Sequence, residues 1–348
     1  MQNNSGTVLI LGTGGTIAGR SAQASDTVGY RAAELGVAEL VRAVPALAGR
    51  SLELEQVAQV DSKDMDHALW QLLAQRVAAG LQRPEVQGLV ITHGTDTLEE
   101  TAWFLQRVLA PTKPVVLTAA MRPASALLAD GPQNLLDAVT VAAEPGARGV
   151  LSVIGGRVHG PSEVRKIHPH RLDAFDSGEA GAIASVVEGR VLRWRDWPAG
   201  TALGLATIAR PVPQWPRVAI VCSHAGVDAG LVEALLAQGV AGLVVEGTGN
   251  GTLHRSLEPA LRAAAAAGVI VWRASRCQGG AVVGSPEGAW PSAGPLTPAR
   301  ARIEIMLELL ARAAPAEGDA VGGPWAVGWQ AEGPSAGAGE SAQDAVRP

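Results

Sequence analysis

Short apolar runs rich in Val, Ile and Leu recur along the chain: TVLIL (7–11), LELEQVAQV (52–60), VQGLVI (86–91), KPVVLTA (113–119) and RGVLSVI (148–154). Between them lie longer stretches with apolar residues at helical spacing, DHALWQLLAQRVAAG (66–80), TLEETAWFLQRVLA (97–110) and QNLLDAVTVAA (133–143). Strands alternating with helices of this length predict βαβ units and a parallel sheet covered on both faces. Asp130-Gly131-Pro132 supplies an N-cap candidate and an early-turn proline for the last of these helices. A second set follows: RVAIVC (217–222), AGLVVEG (241–247) and AGVIVWR (267–273) read as parallel strands. AGLVEALLAQ (229–238), SLEPALRAAAAA (256–267) and PARARIEIMLELLARAA (298–314) read as their helices.

The stretch between the two sets, RWRDWPAGTALGLATIARPVPQWPR (193–217), is rich in Pro and Trp and has no clear period. It predicts an interdomain connection. The expected organisation is therefore an N-terminal domain over 1–193, a linker over 194–216 and a C-terminal α/β domain over 217–314. A Gly-, Pro-, Ala- and Glu-rich tail over 315–348 is expected to be disordered despite Trp325 and Trp329. Trp290 falls just inside the domain.

Composition narrows the partners. The 348 residues are 47% hydrophobic and 18% charged, with a net charge of -5 and a pI near 5.8. Without a basic cluster, nucleic acid and anionic membrane surfaces are not the expected partners, which leaves a small molecule. The two cysteines, Cys222 and Cys277, form no CxxC pair and are expected to be buried apolar residues. The N-terminus has no basic n-region, and its apolar run is too short for a signal sequence or a spanning helix, so a cytoplasmic protein is expected.

Two strands end in Gly/Thr turns. The first, LGTGGTIAG (11–19), has Gly12 and Gly14 but places Ile17 where a dinucleotide fingerprint needs its third glycine, and no G-K-[ST] follows. The second, THGTDT (92–97), runs into an amphipathic helix. Taken alone it reads as a helix start, with Thr97 or Asp96 capping and Glu99-Glu100 favouring the dipole. Ligands in open α/β sheets bind at the carboxyl edge, so Thr16 and Thr95-Asp96 are expected to face one crevice.

These turns, with GYRAAELGVAELVRAVP (29–45), DSKDM (61–65), ITHGTDTLEETAWFL (91–105), KPVVLTAAMRPASALLADGPQNLLDA (113–138), GTGNG (247–251) and LTPARARI (296–303), resemble the bacterial-type L-asparaginase family over roughly residues 7–312. The family consists of amidohydrolases that convert asparagine to aspartate and ammonia. The resemblance implies a larger N-terminal domain with a flavodoxin-like parallel sheet plus a smaller C-terminal α/β domain. It also implies homotetramers of intimate dimers with sites shared between subunits. No cofactor or metal is expected, since the sequence carries no ligand cluster or phosphate cradle. Thr16 matches the nucleophile and Tyr30, the only tyrosine in the chain, the lid residue that activates it. Ser62 matches the contact to the substrate α-carboxylate and Asp96 the contact to its α-ammonium. Thr95, Lys166 and Asp96 match the second catalytic triad, Ala120 matches a substrate-contacting position, and Asn250 matches a residue that reaches the neighbouring subunit's site.

These residue types suit the chemistry. A threonine hydroxyl is a weak nucleophile until a base lies within hydrogen-bond reach, and an amide carbonyl needs donors where its oxyanion develops. Lys166 beside Thr95 would serve as such a base if burial lowers its pKa. Arg165 competes with Lys166 for the match, and the spacing to DAFDS (173–177) favours the lysine. His168-Pro169-His170 lacks the further ligands of a zinc site and reads as surface histidines. His93 is expected to support backbone packing, and Met121-Arg122-Pro123 to shape the floor of the site.

Two departures stand out. The family has Gln or Glu at position 63, and the cation of Lys63 cannot accept a hydrogen bond from an α-ammonium. If Lys63 faces the substrate, repulsion raises KM; if it pairs with Asp64, substitution is silent. The loop CQGGAVVGSPEGAWPSAGP (277–295) is short, and its one acid, Glu287, is out of register with the family's neighbouring-subunit glutamate. Both departures bear on affinity and on the choice between asparagine and glutamine. Three other readings compete. A non-catalytic amino-acid sensor on the same fold would tolerate loss of Thr16, Tyr30 or Lys166. An amidase subunit of a tRNA-dependent amidotransferase would carry a further N-terminal domain. A nucleotide-binding protein is weakened by Ile17.

Overall fold

The computed structural model describes residues 6–26, 29–284 and 290–314. Residues up to Ala314 form one compact unit, and the expected disordered tail lies outside the described residues, as does Glu287. Strand β1 (Thr7–Gly14) is followed by helix α1 (Val37–Arg42), β2 (Leu52–Val60), α2 (His67–Gln82), β3 (Val86–Thr92), α3 (Leu98–Leu109), β4 (Pro114–Thr118), α4 (Gly131–Ala142) and β5 (Gly149–Ile154). The order β5-β4-β3-β1-β2 is parallel throughout and is the flavodoxin-like arrangement.

Alternation along the strands explains the two covered faces. Leu9 and Leu11 of β1 pack with Leu89 and Ile91 of β3 beneath Leu73 and Val77 of α2 and Phe104 and Leu105 of α3. Val8 and Ile10, pointing the other way, pack with Val90 under Leu40 of α1 and Leu135 and Val139 of α4. Each such leucine contributes on the order of 2 kcal/mol by leaving water.

The sheet continues beyond β5 in a way the apolar pattern does not reveal. Strands β6 (Arg157–His159), β9 (Ala184–Val187) and β10 (Arg190–Arg193) extend it antiparallel, making eight strands among the described residues. Between them the two-residue strands β7 (Arg165–Lys166) and β8 (Phe175–Asp176) pair with each other. These segments are short, and β10 is largely exposed, so they carry no apolar run to read.

The expected linker is a packed strap. Trp197 and Trp215 are buried, Trp215 stacks on His67 at 5.2 Å, and the Gln71 side chain donates to the Arg210 carbonyl at 3.1 Å. Beyond it, β11 (Val218–Cys222), β12 (Gly242–Gly247) and β13 (Ile270–Ser275) form a parallel three-stranded sheet. Helices α5 (Gly230–Ala237) and α6 (Glu258–Ala266) cover one face, and α7 (Pro298–Arg312) packs on the other. Trp290 packs against the α5/α6 side. Cys222 and Cys277 correct the sequence expectation, since both are exposed free thiols. Cys222 ends a strand at the sheet edge, where its Sγ donates to Glu246 at 2.8 Å.

Candidate active site

The carboxyl ends of β1 and β3 are where the strand order reverses, and a crevice forms at such a point. Glycine brings the two turns together. A Cβ on Gly15, whose φ is +81°, would lie 2.4 Å from both the Cα and the N of Gly94. One on Gly94 would lie 2.3 Å from Ser62 Oγ. The residues immediately before Thr16 and Thr95 are thus in backbone contact, and Ser62 touches the second of them. Thr16 starts a single 3-10 turn (Thr16–Ala18), not a long helix, so the N-terminal helix dipole used by dinucleotide sites is missing here.

Residues after this turn fold back across it. Arg20 and Arg31 exchange backbone hydrogen bonds of 2.9 and 2.8 Å, and Ala33 N donates to Gly15 O at 3.0 Å. That return places the Tyr30 hydroxyl 2.7 Å from Thr16 Oγ1. The segment rests on the 121–128 turn through Ala124 N to Gly19 O and Ser21 N to Ser125 Oγ, at 2.9 and 2.8 Å.

At the second turn, Lys166 Nζ donates to Thr95 Oγ1 at 2.8 Å and to Asp96 Oδ1 at 2.6 Å. Alternation on β7 sends its neighbour Arg165 elsewhere, to the carbonyls of Gln278 and Pro295. The choice between the two cations is thereby made by pairing across the fold. Ser62 Oγ accepts from Asp96 N at 3.1 Å, which leaves its hydroxyl hydrogen as a donor. Thr97 occupies the N-cap position of α3 without capping it; its Oγ1 donates to Ser62 O at 2.7 Å and ties the turn to the Ser62 segment.

The floor differs from the sequence reading in one respect. Asp130 precedes α4, but its carboxylate accepts from Met121 N and Arg122 N at 2.9 and 3.0 Å instead of capping the helix. Asn134, which the sequence did not single out, donates to Ala119 O and accepts from Gly155 N, both at 2.9 Å. Together they set the backbone around the fully buried Ala120. The DGPQN segment carried these residues but no local signal of their partners.

Lys63 adopts the second of its two expected arrangements. Its ammonium pairs with Asp64, and with Asp61 at 3.5 Å, and these acids hold its pKa above the usual lysine value. Repulsion of substrate is accordingly not expected: Lys63→Gln should change KM for L-asparagine by less than about twofold, the scale of a screened surface pair. A KM several-fold lower in the variant would restore the repulsion reading.

Asn250 is not part of the Thr16–Thr95 group within one chain. Its Nδ2 donates to Val283 O and its Oδ1 accepts from Val283 N, both at 2.8 Å. It lines a cavity of about 210 Å³ with Arg165, Ser275, Cys277 and Thr297, and neither Thr16 nor Thr95 is among the lining residues. His168 accepts from the backbone of His170 and Arg171 at 3.1 and 3.0 Å, a turn-forming contact.

His93 is fully buried under the second turn. Its Nδ1 must donate to the Gly94 carbonyl at 2.7 Å, so Nε2 accepts from Thr101 Oγ1 at 3.0 Å, and that oxygen accepts from Trp70 Nε1 at 2.9 Å. Desolvation lowers its pKa to about 4, and burial does the same to His159, also to about 4. In the unfolded chain both titrate near about 6.5. Stability from these groups is full above that value and is lost as pH falls toward about 4, by on the order of 1.4 kcal/mol per pH unit for each histidine. Burial raises the pKa of Glu99 and of Asp137, and these acids act in the opposite direction. Urea midpoints between pH 7 and pH 5 should fall, and His159→Gln should flatten that fall; an equally steep fall in the variant would remove His159 as a cause.

The similarities to known proteins agree with this fold. Residues 7–198 match the family model for the asparaginase N-terminal domain, and residues 217–319 match the glutaminase/asparaginase C-terminal domain. The chain belongs to the asparaginase family. It is 35% identical to L-asparaginase 2 of Escherichia coli over 310 residues, covering 87% of this chain and 88% of that one. It is 36% identical to the glutaminase-asparaginase of Pseudomonas fluorescens, covering 87% and 86%. A probable cytoplasmic L-asparaginase from Campylobacter jejuni has a similar structure, with a TM-score of 0.82 at 35% identity, covering 87% of this chain and 95% of that chain. In this asparaginase, as its family implies, the larger sheet carries both threonine turns and the smaller sheet carries Asn250.

Proposed function

We propose that Thr16 is the nucleophile with which this asparaginase, an amidohydrolase, converts L-asparagine to L-aspartate and ammonia. The observation that carries the reading is the pair of contacts at the β1/β3 switch point: Tyr30 OH on Thr16 Oγ1 at 2.7 Å, and Lys166 Nζ on Thr95 Oγ1 at 2.8 Å. Thr16 Oγ1 adds to the side-chain amide carbon of the substrate as its proton passes to the Tyr30 oxygen and Tyr30 hands its own hydroxyl proton on to the amide nitrogen. The C–N bond then breaks, ammonia leaves carrying that proton, and a β-aspartyl ester remains on Thr16. Water hydrolyses that ester, releasing aspartate and restoring the threonine hydroxyl. Because Thr95 Oγ1 accepts from Lys166, its own hydrogen is turned away from the lysine and is available to the developing oxyanion.

The ends of the substrate find complementary groups. The Ser62 hydroxyl hydrogen is available to the α-carboxylate. Asp96 is half-exposed, and with Oδ1 held by Lys166 its other oxygen serves the α-ammonium. The Ala120 backbone, set by Asp130 and Asn134, bounds the amide end. With Lys63 held by its acids, it bounds the rim of the site instead of contacting substrate. Side activity on L-glutamine is part of the proposal, supported by the likeness to a glutaminase-asparaginase.

Residues 1–193 would act as the catalytic domain and 217–314 as the domain lending Asn250 to a neighbouring subunit, in a homotetramer or intimate homodimer. Among the described residues no helix is long and apolar enough to cross a membrane. We place the protein in the cytoplasm, in line with the probable cytoplasmic L-asparaginase of Campylobacter jejuni, whereas the Haemophilus influenzae relative is a probable periplasmic L-asparaginase. Ammonia release from L-asparagine, L-glutamine and their D-forms, with and without EDTA, tests the reading. Turnover of L-asparagine at a rate unaffected by chelator is expected. Substrate binding without ammonia release would favour the sensor, and loss of activity on chelation with recovery on adding zinc would overturn the threonine mechanism.

A further inference from the structure

Arg300, on the first turn of α7, is buried to 0% exposure. Thr297 caps this helix, its Oγ1 accepting from Arg300 N at 3.3 Å, which fixes where the side chain starts. From there Arg300 Nη2 donates to the Val164 carbonyl and lies 3.3 Å from Glu99 Oε2. Val164 precedes Lys166 by two residues, and Glu99 follows Asp96 by three. One guanidinium nitrogen thus touches both segments whose meeting forms the Lys166–Thr95–Asp96 contacts.

Stability alone does not account for this placement. Nε and Nη1 of Arg300 have no hydrogen-bond partner, and burial lowers its pKa to about 10. A buried charge so incompletely satisfied is held at a cost, and an apolar side chain of similar volume would fill the junction more cheaply. Nor is Arg300 needed to join the two helices. Arg302 reaches Glu100 at 3.2 Å, and Arg107 forks onto Glu304 at 2.7 and 2.9 Å, both between α3 and α7. What separates Arg300 from these pairs is its second partner, the chain entering β7.

We propose that Arg300 is a positioning residue for the reaction, holding the β7 segment and the start of α3 at the separation that lets Lys166 Nζ reach Thr95 Oγ1 and Asp96 Oδ1 together. The proposal rests on the Thr95–Lys166 reading above. A lysine displaced by about 1 Å from its partner loses on the order of a hundredfold in rate while the substrate's carboxylate and ammonium contacts persist. The effect therefore falls on kcat and leaves KM nearly alone.

The test uses the full chain, with kcat and KM for L-asparagine from ammonia release and a thermal midpoint showing that each variant is folded at the assay temperature. Arg300→Met should lower kcat by at least about tenfold with KM within about threefold. Arg300→Lys, which keeps the charge and the donors on a shorter side chain, should recover part of the loss. Arg302→Met, which removes an ion pair between the same helices without touching β7, should stay within about twofold of wild type. If Arg300→Met does not fold, Arg300→Lys and Glu99→Gln decide. Reduced kcat with spared KM in folded protein supports the proposal, and wild-type kcat overturns it. An equal fall in Arg302→Met would also overturn it, since loosening of the helix pair would then suffice. Lys166→Met keeps the two ideas apart: if it is inactive while the Arg300 variants are fully active, only the positioning role fails, whereas if it is active the mechanism itself fails.

Discussion

Thr16→Ala and Thr95→Ala are each expected to lower kcat for L-asparagine by at least about a thousandfold while the protein stays folded. Both side chains are small and nearly buried, and alanine keeps the Cβ that each packs. The lost oxygens leave no stranded charge. Lys166 still holds Asp96 at 2.6 Å, and Tyr30 is half-buried with water within reach, so the folding cost should be about 1 kcal/mol, the value of one ordinary hydrogen bond. The catalytic loss is much larger because the bond-forming oxygen, or the donor beside it, is gone. Members of one catalytic unit fail together, so the double variant should be little slower than either single one. Steady-state kinetics with a thermal melt on each variant checks this. Near-normal kcat in a folded single variant would remove that residue from the mechanism, and losses that multiply in the double variant would mean that the two threonines act independently.

Gly15→Ala is expected to be nearly as damaging to activity and, unlike the threonine variants, to damage the fold as well. The position sits at φ +81°, where an L side chain is strained, and its Cβ would meet the backbone of Gly94 at 2.4 Å. Backbone cannot swing aside as a flexible side chain can. The strain contributes about 1–3 kcal/mol, and the overlap must be relieved by pushing the two turns apart. Separation of the turns moves Thr16 relative to Thr95 and Ser62, and about 1 Å of such displacement costs on the order of a hundredfold in rate. Gly49→Ala is the control, since Gly49 has φ +84° but nothing within 4 Å of an added Cβ. It should lose some stability without the loss of kcat. Equal activity in Gly15→Ala and wild type would mean that close approach of the turns is not what aligns the site.

The apolar runs determined the parallel strands of both sheets and most of the helices that cover them, because strands buried on two faces are rich in Val, Ile and Leu and amphipathic helices must cover them. They also placed the Gly/Thr turns at the carboxyl ends of β1 and β3, where a crevice follows from strand order alone. Other features depended on partners distant in sequence. Arg165 and Lys166 are adjacent cations, and although the spacing to DAFDS favoured the lysine, its contact with Thr95, 71 residues away along the chain, came only with the pairing of β7 and β8. Lys63 was ambiguous until Asp61 and Asp64 were seen to hold its ammonium. Asp130 read as a helix cap because capping is the commonest local use of an aspartate before Gly-Pro, yet the nearby 121–122 amides, unsatisfied in their turn, claim its carboxylate. The antiparallel strands β6, β9 and β10 left no periodic trace because they are only three or four residues long, and β10, at the sheet edge, is largely exposed. Cys222 and Cys277 were misplaced by their general preference for the interior, which says nothing of a strand end or a loop. Arg300 was the least legible of all: within PARARIEIMLELLARAA it resembles any charge on a solvated helix face, and only the packing of α7 against α3 and β7 buried it between Glu99 and Val164. Periodicity records which face of an element leaves water, whereas the partner that meets a buried polar group is chosen by the three-dimensional closure of the chain.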